Sequence, residues 1–519
     1  MKNTSLKLIL ILTALALSIF LLSSCDIGAM FGGEDEDYEP SNNNVNSDSF
    51  DEDYDHDPEE PIDDSEAGLY ESGSDFKNQL KTWEELVNEG IIEMDGDVVS
   101  HCDPSISGDL VITKTASAIG NHAFTECDGL VNVKIPGEVK DIKYGAFYNC
   151  KNLESVDFGK GVVRIEESAF DWCSKLESIN LPRSVKSVAN AFFACYALES
   201  IEVDSKNTAY KSIDGNLYTK DGSMIVQYAL AKEDVSFVLP EDTTAVGNYA
   251  FASAKNLQTV LLSDGVESIG TYAFNECTNL GSIYLGESLV SIGGGAFVAS
   301  GICEIVLPDT VESIAAFAFA GCANLERVTV SSALKNMDEG VFAECRMLKE
   351  FVANEDNEAF EAVDGILYSE DLTTLVAYPP AKPDMAFQIP YSVDAVGNFA
   401  FYDCDNLNYI YLHNTIDSVG IRAFFDCSSV VNIDIPYGVK EFGDGALGSC
   451  DAMVSITIPN SIEKLGSDVF MWNVSLRDIY FDGSLEEWDQ IEKGEEWVDG
   501  TRVLYSVHCN DGDVFIPGN

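Results

Sequence analysis

Ten cysteines fall at one phase of a recurring interval: Cys127, Cys150, Cys173, Cys195, Cys277, Cys322, Cys345, Cys404, Cys427 and Cys450. Thiols at regular spacing could build a disulfide ladder or hold a metal. If the interval is one coil of a stack, neighbouring thiols lie ~4.8 Å apart with parallel Cβ vectors. A disulfide wants Cβ atoms ~3.8 Å apart in opposed geometry. Zinc wants four ligands converging on one point, and a straight ladder does not converge. The expectation is a column of buried thiols, with no metal and no cofactor. Cys102 and Cys509 stand near opposite ends of the repeats, ~60 Å apart on the same spacing, so they do not bond to each other.

Catalytic groups are harder to assemble. The five histidines are His56, His101, His122, His413 and His508. They are dispersed along the chain, and each is expected as an isolated surface residue. There is no Gly-x-Ser-x-Gly elbow, no His-Glu-x-x-His, and no phosphate loop closing on Lys-Ser or Lys-Thr. Carboxylates are too abundant for one pair to stand out as a glycosidase pair. The sequence points away from an enzyme. Tyrosine offers the remaining chemistry, because its ring buries a large area at little entropic loss and carries a hydroxyl. Tyr284, Tyr409, Tyr411 and Tyr480 fall beside inward-pointing strand residues and form the candidate ligand-binding set.

The elements that position these residues are set by a repeat. Phenylalanine recurs at Phe124, Phe147, Phe170 and Phe192, then at Phe251, Phe274, Phe297, Phe319 and Phe342. It returns at Phe401 and Phe424, is replaced by Leu447, and ends at Phe470, thirteen units in all. Within a block the step is 22 or 23 residues. One unit reads Ile269-Gly270-x-x-Ala273-Phe274-x-x-Cys277-x-x-Leu280-x-x-Ile283-x-Leu285. Ile283 and Leu285, two apart, share one face of a short strand. Proline often follows, as at Pro136, Pro182, Pro308, Pro436 and Pro459, and turns the chain. The Ile-Gly-x-x-Ala-Phe stretch returns along the other side and plugs its ring into the core. No coil can bury its own apolar face, so stability must come from stacked neighbours.

These residues resemble the BspA-type, or treponemal-type, leucine-rich repeats of bacterial surface lipoproteins. The resemblance covers residues 105 to 482 and departs from the pattern at Ala254 and Asn473, which replace Cys, and near Gly301-Ile302, where a unit is one residue short. It implies a right-handed leucine-rich-repeat solenoid, mainly β with an irregular convex side. It also implies surface attachment and, for some members, binding to other proteins.

Two gaps of 59 residues, Phe192 to Phe251 and Phe342 to Phe401, each hold an insertion of 36, about 204–240 and 354–390. The insertions match at an offset of 150: Asn207 with Asn357, Asp214-Gly215 with Asp364-Gly365, Leu217-Tyr218 with Leu367-Tyr368, Tyr228 with Tyr378. Asp-Gly between apolar runs predicts a hairpin. Both are expected as β-hairpins packed on the side of the solenoid. Residues 75–104 should form the N-terminal cap, beginning with an amphipathic helix from Asp75 to Gly90. Residues 483–519 should form an α/β C-terminal cap, where Ser484-x-x-Glu487 is a capping box and Val503 to Cys509 a closing strand.

Residues 1–25 have the charge, apolar run and length of an export signal. Leu22-Ser23-Ser24-Cys25 resembles the bacterial lipobox, which implies lipid attachment at Cys25. Residues 26–74 follow as an acidic tether: from Asp26 to Phe76 there are 19 Asp or Glu and no Lys or Arg, so no core can form there. The whole chain carries a net charge of −58 over 519 residues. Such a surface repels nucleic acid and anionic lipid headgroups. The expected protein is exported, held to a membrane only through its lipid and displayed at the cell surface or on the periplasmic side. There it binds a protein or glycan ligand, as an adhesion or recognition lipoprotein. Nutrient capture through carbohydrate binding and a structural envelope role are the alternatives.

Overall fold

The computed structural model describes residues 81–494, 497 and 505–516. Cys25, the expected leader, the acidic segment and His56 lie outside the described residues, as does the start of the expected first helix. Within them that helix is Trp83–Asn88, fixed by a capping box in which Thr82 and Glu85 bond reciprocally.

The rest is a β-solenoid of about 17 turns. Thirteen are the phenylalanine units; each insertion and each cap adds one more. Every coil lays down a longer strand on one side, such as Ser178–Leu181, and a two-residue strand on the other, such as Arg164–Ile165. Equivalent strands of successive coils pair in parallel, Tyr409 with Asn432 on the first side and Ser268 with Ser291 on the second. Between them the phenylalanine rings stack face to face, Phe124 on Phe147 at 4.9 Å and Phe274 on Phe297 at 5.1 Å.

The turn carrying Ala-Phe-x-x-Cys has a fixed backbone. The residue before Ala and the residue before Cys are both left-handed, as at Tyr272 and Glu276 or Phe399 and Asp403. That conformation is hardest for β-branched side chains, and no Val, Ile or Thr occupies such a position among the described residues.

The cysteine column is a set of hydrogen-bond donors. Eight of the ten thiols point back one coil to the carbonyl of that coil's phenylalanine, as Cys150 to Phe124 at 3.0 Å, Cys277 to Phe251 at 3.1 Å and Cys427 to Phe401 at 3.0 Å, and Cys404 points to the Tyr378 carbonyl. No described cysteine is in a disulfide. Burial pushes the thiols of Cys277 and Cys322 up to about 12, so they stay protonated and able to donate. At two of the positions without Cys another side chain takes over the donation. Asn473 donates its amide to Leu447 at 2.7 Å. Ala254 cannot donate, and Gln227 bonds the Tyr228 carbonyl instead, at 3.0 Å. Ser300 holds the position in the short unit and bonds the Cys322 thiol.

The insertions are hairpins, but they do not sit on the side. Tyr210–Ile213 and Asn216–Thr219 pair across Asp214-Gly215, with φ of 50° and 74° as a type I′ turn requires. A third strand, Met224–Gln227, then pairs in parallel with the next coil. The hairpin is thus inserted between coils and divides the core. Leu217 packs into the first apolar cluster and Tyr218, its neighbour, into the second. Leu367 closes the second cluster and Tyr368 opens the third. Successive strand residues face opposite ways, so one strand serves two cores. Asn207 fixes the entry, donating to Pro182 and Val185 and accepting from Ala209 and Tyr210; Asn357 does the same in the second copy.

At the end of the chain Ser484 and Glu487 cap the helix Leu485–Gln490, which buries Trp488. Tyr505–Cys509 then pairs with the last coil and turns back into Gly512–Ile516.

Candidate functional site

The four tyrosines predicted as a ligand-binding set all lie on the longer-strand face and are exposed, but they do not form one site. Tyr409 and Tyr411 are together, on one strand, with rings 6.3 Å apart and within 10° of parallel. Tyr480 lies three coils further on by repeat position and stacks instead on His508 at 5.0 Å. Tyr284 belongs to a separate strand ladder and donates its hydroxyl to Asp264 at 2.9 Å.

Two histidines depart from the expectation of isolated surface residues. His413 is 5 % exposed; its ring bonds the Pro390 carbonyl and the Thr415 hydroxyl and stacks under Tyr391 at 4.7 Å. A two-residue interval, His413-x-Thr415, gave it a local partner that composition could not reveal. His508 sits between Asp478 and Asp513, whose hydrogen bonds raise its pKa. Among the described residues no group of three or more His, Cys, Asp or Glu is placed to hold a metal.

The larger feature was not anticipated. On the turn side, residues flanking Ala-Phe carry a row of rings, most of them exposed or half-buried. In one stretch Trp172 meets Phe193 at 5.7 Å, Phe193 meets Tyr249 at 6.1 Å, and Tyr249 stacks on Tyr272 at 5.2 Å. In another, Phe317 meets Phe399 at 5.6 Å, followed by Tyr402, Phe425 and Trp472 at 5.4–6.0 Å steps. Each stretch crosses one insertion: Phe193–Tyr249 spans the first, Phe317–Phe399 the second. Trp172, Tyr272, Phe317 and Trp472 remain exposed.

Glycine in the next coil lets these rings lie flat. A Cβ on Gly295 would stand 2.3 Å from the Tyr272 ring, and one on Gly340 would stand 2.4 Å from Phe317. Both glycines also have positive φ. The sequence signal is an aromatic residue two before the ladder phenylalanine with glycine 23 residues later, a pairing visible only once the repeat is aligned.

Two buried acids adjoin the row. Asp171, beside Trp172, is 6 % exposed, and burial pushes its carboxyl up to about 7 although its oxygen accepts the Phe193 N–H at 2.8 Å. Asp403, beside Tyr402, is pushed up to about 6 by burial against the pull of Arg346, which donates to it at 2.6 Å across the second insertion. At the first insertion the cation is placed differently, with the Lys255 ammonium over the Tyr196 ring at 5.3 Å.

The profile of the BspA type leucine rich repeat region matches this chain in six copies, over residues 102–220, 233–362 and 385–491. The breaks in the match fall within the two insertions. Among solved structures, the chain is similar to the pneumococcal vaccine antigen PcpA at 19% identity, covering 58% of this chain and 85% of that one with a TM-score of 0.45. It is similar to a leucine-rich repeat protein from Bacteroides ovatus at 21% identity, covering 80% and 90%, TM-score 0.37. A leucine rich cell surface protein from Faecalibacterium prausnitzii A2-165 is 20% identical over 77% and 97%, TM-score 0.38. A search of curated proteins found no match.

Proposed function

The chain belongs to the family of BspA-type leucine-rich repeats, and from that membership we propose that it is a cell-surface recognition protein that binds another protein through its turn-side aromatic row. The observation that carries this reading is the row itself: rings packed edge to face or stacked on one another along the turn side, four of them exposed, on a repeating backbone. Large aromatic side chains on a pre-ordered surface lose little entropy on binding, which is why they dominate recognition hot spots. A net charge of −58 favours a basic partner. An export signal followed by lipid attachment at Cys25 would supply the anchor. We read the molecule as a binding scaffold rather than an enzyme.

Full-length protein in detergent, passed over protein and glycan arrays, tests this. Saturable protein binding that falls on Trp172→Ser and Tyr272→Ser supports it; binding indifferent to both would refute the surface assignment. Carbohydrate binding is the second reading, favoured by the near-parallel Tyr409 and Tyr411 rings, which could stack on sugars. Glycan retention lost in a Tyr409→Ala, Tyr411→Ala protein that still folds would select it. Lipid labelling abolished by Cys25→Ser, and protease cleavage of the repeats on intact cells, test the location.

A further inference from the structure

The insertions are copies at a constant offset of 150 residues, so the chain contains two versions of the same coil junction. At the first, Phe193 and Gln227 occupy the junction. The Phe193 ring packs between those of Trp172 and Tyr249, and Gln227 is 4 % exposed. At the second, the equivalent residues are Ala343 and Ala377. A cavity of about 220 Å³ opens there, lined by both alanines. Phe342 and Tyr378 contribute its apolar lining, Phe399 and Tyr402 its aromatic wall, and Asp338 and Glu339 add carboxylates. Burial records the same difference. Phe192 is fully buried whereas its counterpart Phe342 is partly exposed, and Gln227 is buried whereas Ala377 is not.

The second copy therefore has no ring at the position of Phe193; its own Phe317 reaches Phe399 from outside the cavity lining, and Phe351, where the first copy has Ile201, packs against Phe342 at 5.3 Å without closing the space. We propose that a protein partner supplies the missing ring: the cavity takes one aromatic side chain, seated against Phe399 as Phe193 is seated against Tyr249 in the first copy, from a segment whose adjacent residue is Lys or Arg. Apolar walls reward the ring, a pocket for one aromatic anchor is how hot spots are built, and the exposed Asp338 and Glu339 complement a neighbouring cation. This rests on the recognition reading above and names the point at which the partner is gripped.

The probe is N-acetyl-Phe-Lys-amide, titrated into the full-length protein in detergent and followed by saturation-transfer NMR. Saturable binding is expected, with the ring protons saturated most, and N-acetyl-Ala-Lys-amide should not bind. Ala343→Phe should weaken binding at least tenfold while leaving the melting temperature unchanged or raised, since the first copy already accommodates that ring. Ala377→Gln, filling the cavity from the other side, should do the same and serves if Ala343→Phe fails to fold. Asp338→Asn with Glu339→Gln should weaken binding severalfold, and less so in high salt. No saturable binding, or binding unmoved by either filling variant, overturns the cavity; binding unmoved by the acid replacements overturns the basic neighbour. Array binding that survives Ala343→Phe sinks the cavity and leaves the aromatic row standing. An array with no saturable ligand sinks the recognition reading, and the dipeptide then judges the cavity by itself.

Discussion

Replacing Asp171 by Asn should stabilise the first segment of the solenoid, by an amount that grows as pH rises from ~4 to ~7 and is constant above that. An aspartate in the unfolded chain titrates near 3.9; folded, this one is pushed up to about 7 by burial. The folded state therefore binds the proton more tightly than the unfolded state does. Below pH ~4 both states are protonated and the group contributes nothing. Between pH ~4 and ~7 stability falls by ~1.4 kcal/mol per pH unit, and above pH 7 ionising the buried carboxyl costs on the order of 4 kcal/mol. Asparagine keeps an oxygen to accept the Phe193 N–H, now 2.8 Å away, and carries no charge. Thermal unfolding of both proteins at pH 4 and pH 8 gives the answer, read on the first segment because a repeat array need not unfold in one step. Asp403 is also raised, but it is present in both proteins and cancels in the difference. If the variant is no more stable at pH 8, or equally favoured at pH 4, the carboxyl is not held in the apolar environment described.

Other consequences follow from the same packing. Cys150→Ala should lower stability by ~1–3 kcal/mol, by leaving the Phe124 carbonyl without its buried donor; thermal denaturation measures this. Phe274→Ala in mid-ladder should lose ~3–5 kcal/mol, because two stacked neighbours face the void. Leu217→Ala should lower hydrogen-exchange protection mainly in the coils before the first insertion, and Tyr218→Ala mainly in those after it; equal effects on both sides would refute the divided core. His508 is held by Asp478 and Asp513 in its charged form. Stability of the C-terminal hairpin should thus be greatest below pH ~6.5, decline as pH rises through the elevated folded value, and lose that dependence in His508→Gln.

The period of 22 or 23 residues, the Phe and Cys columns and the Asp-Gly turns each depend only on residue type and spacing, so the sequence alone determined the solenoid and both hairpins. A repeat states what must stack on what, since every coil meets the same neighbour at the same phase. It could not say that a hairpin would divide the core, because Leu217 and Tyr218 read equally well as one strand packed outside. Nor could it say that the thiols donate hydrogen bonds, a role that becomes visible only when Asn473 and Gln227 are seen reaching the same carbonyls. The strand-face tyrosines share a register that sequence supplies, yet Tyr284 takes its partner from a turn of the preceding coil and Tyr480 from another strand. The turn-side rings lie too far apart in sequence to be recognised as one surface. Phe193 and Tyr249 are 56 residues apart and become neighbours only because the hairpin between them is folded into the stack. Local spacing fixes what repeats, whereas contacts across an interruption of the repeat belong to tertiary structure, where distance along the chain no longer measures distance in space.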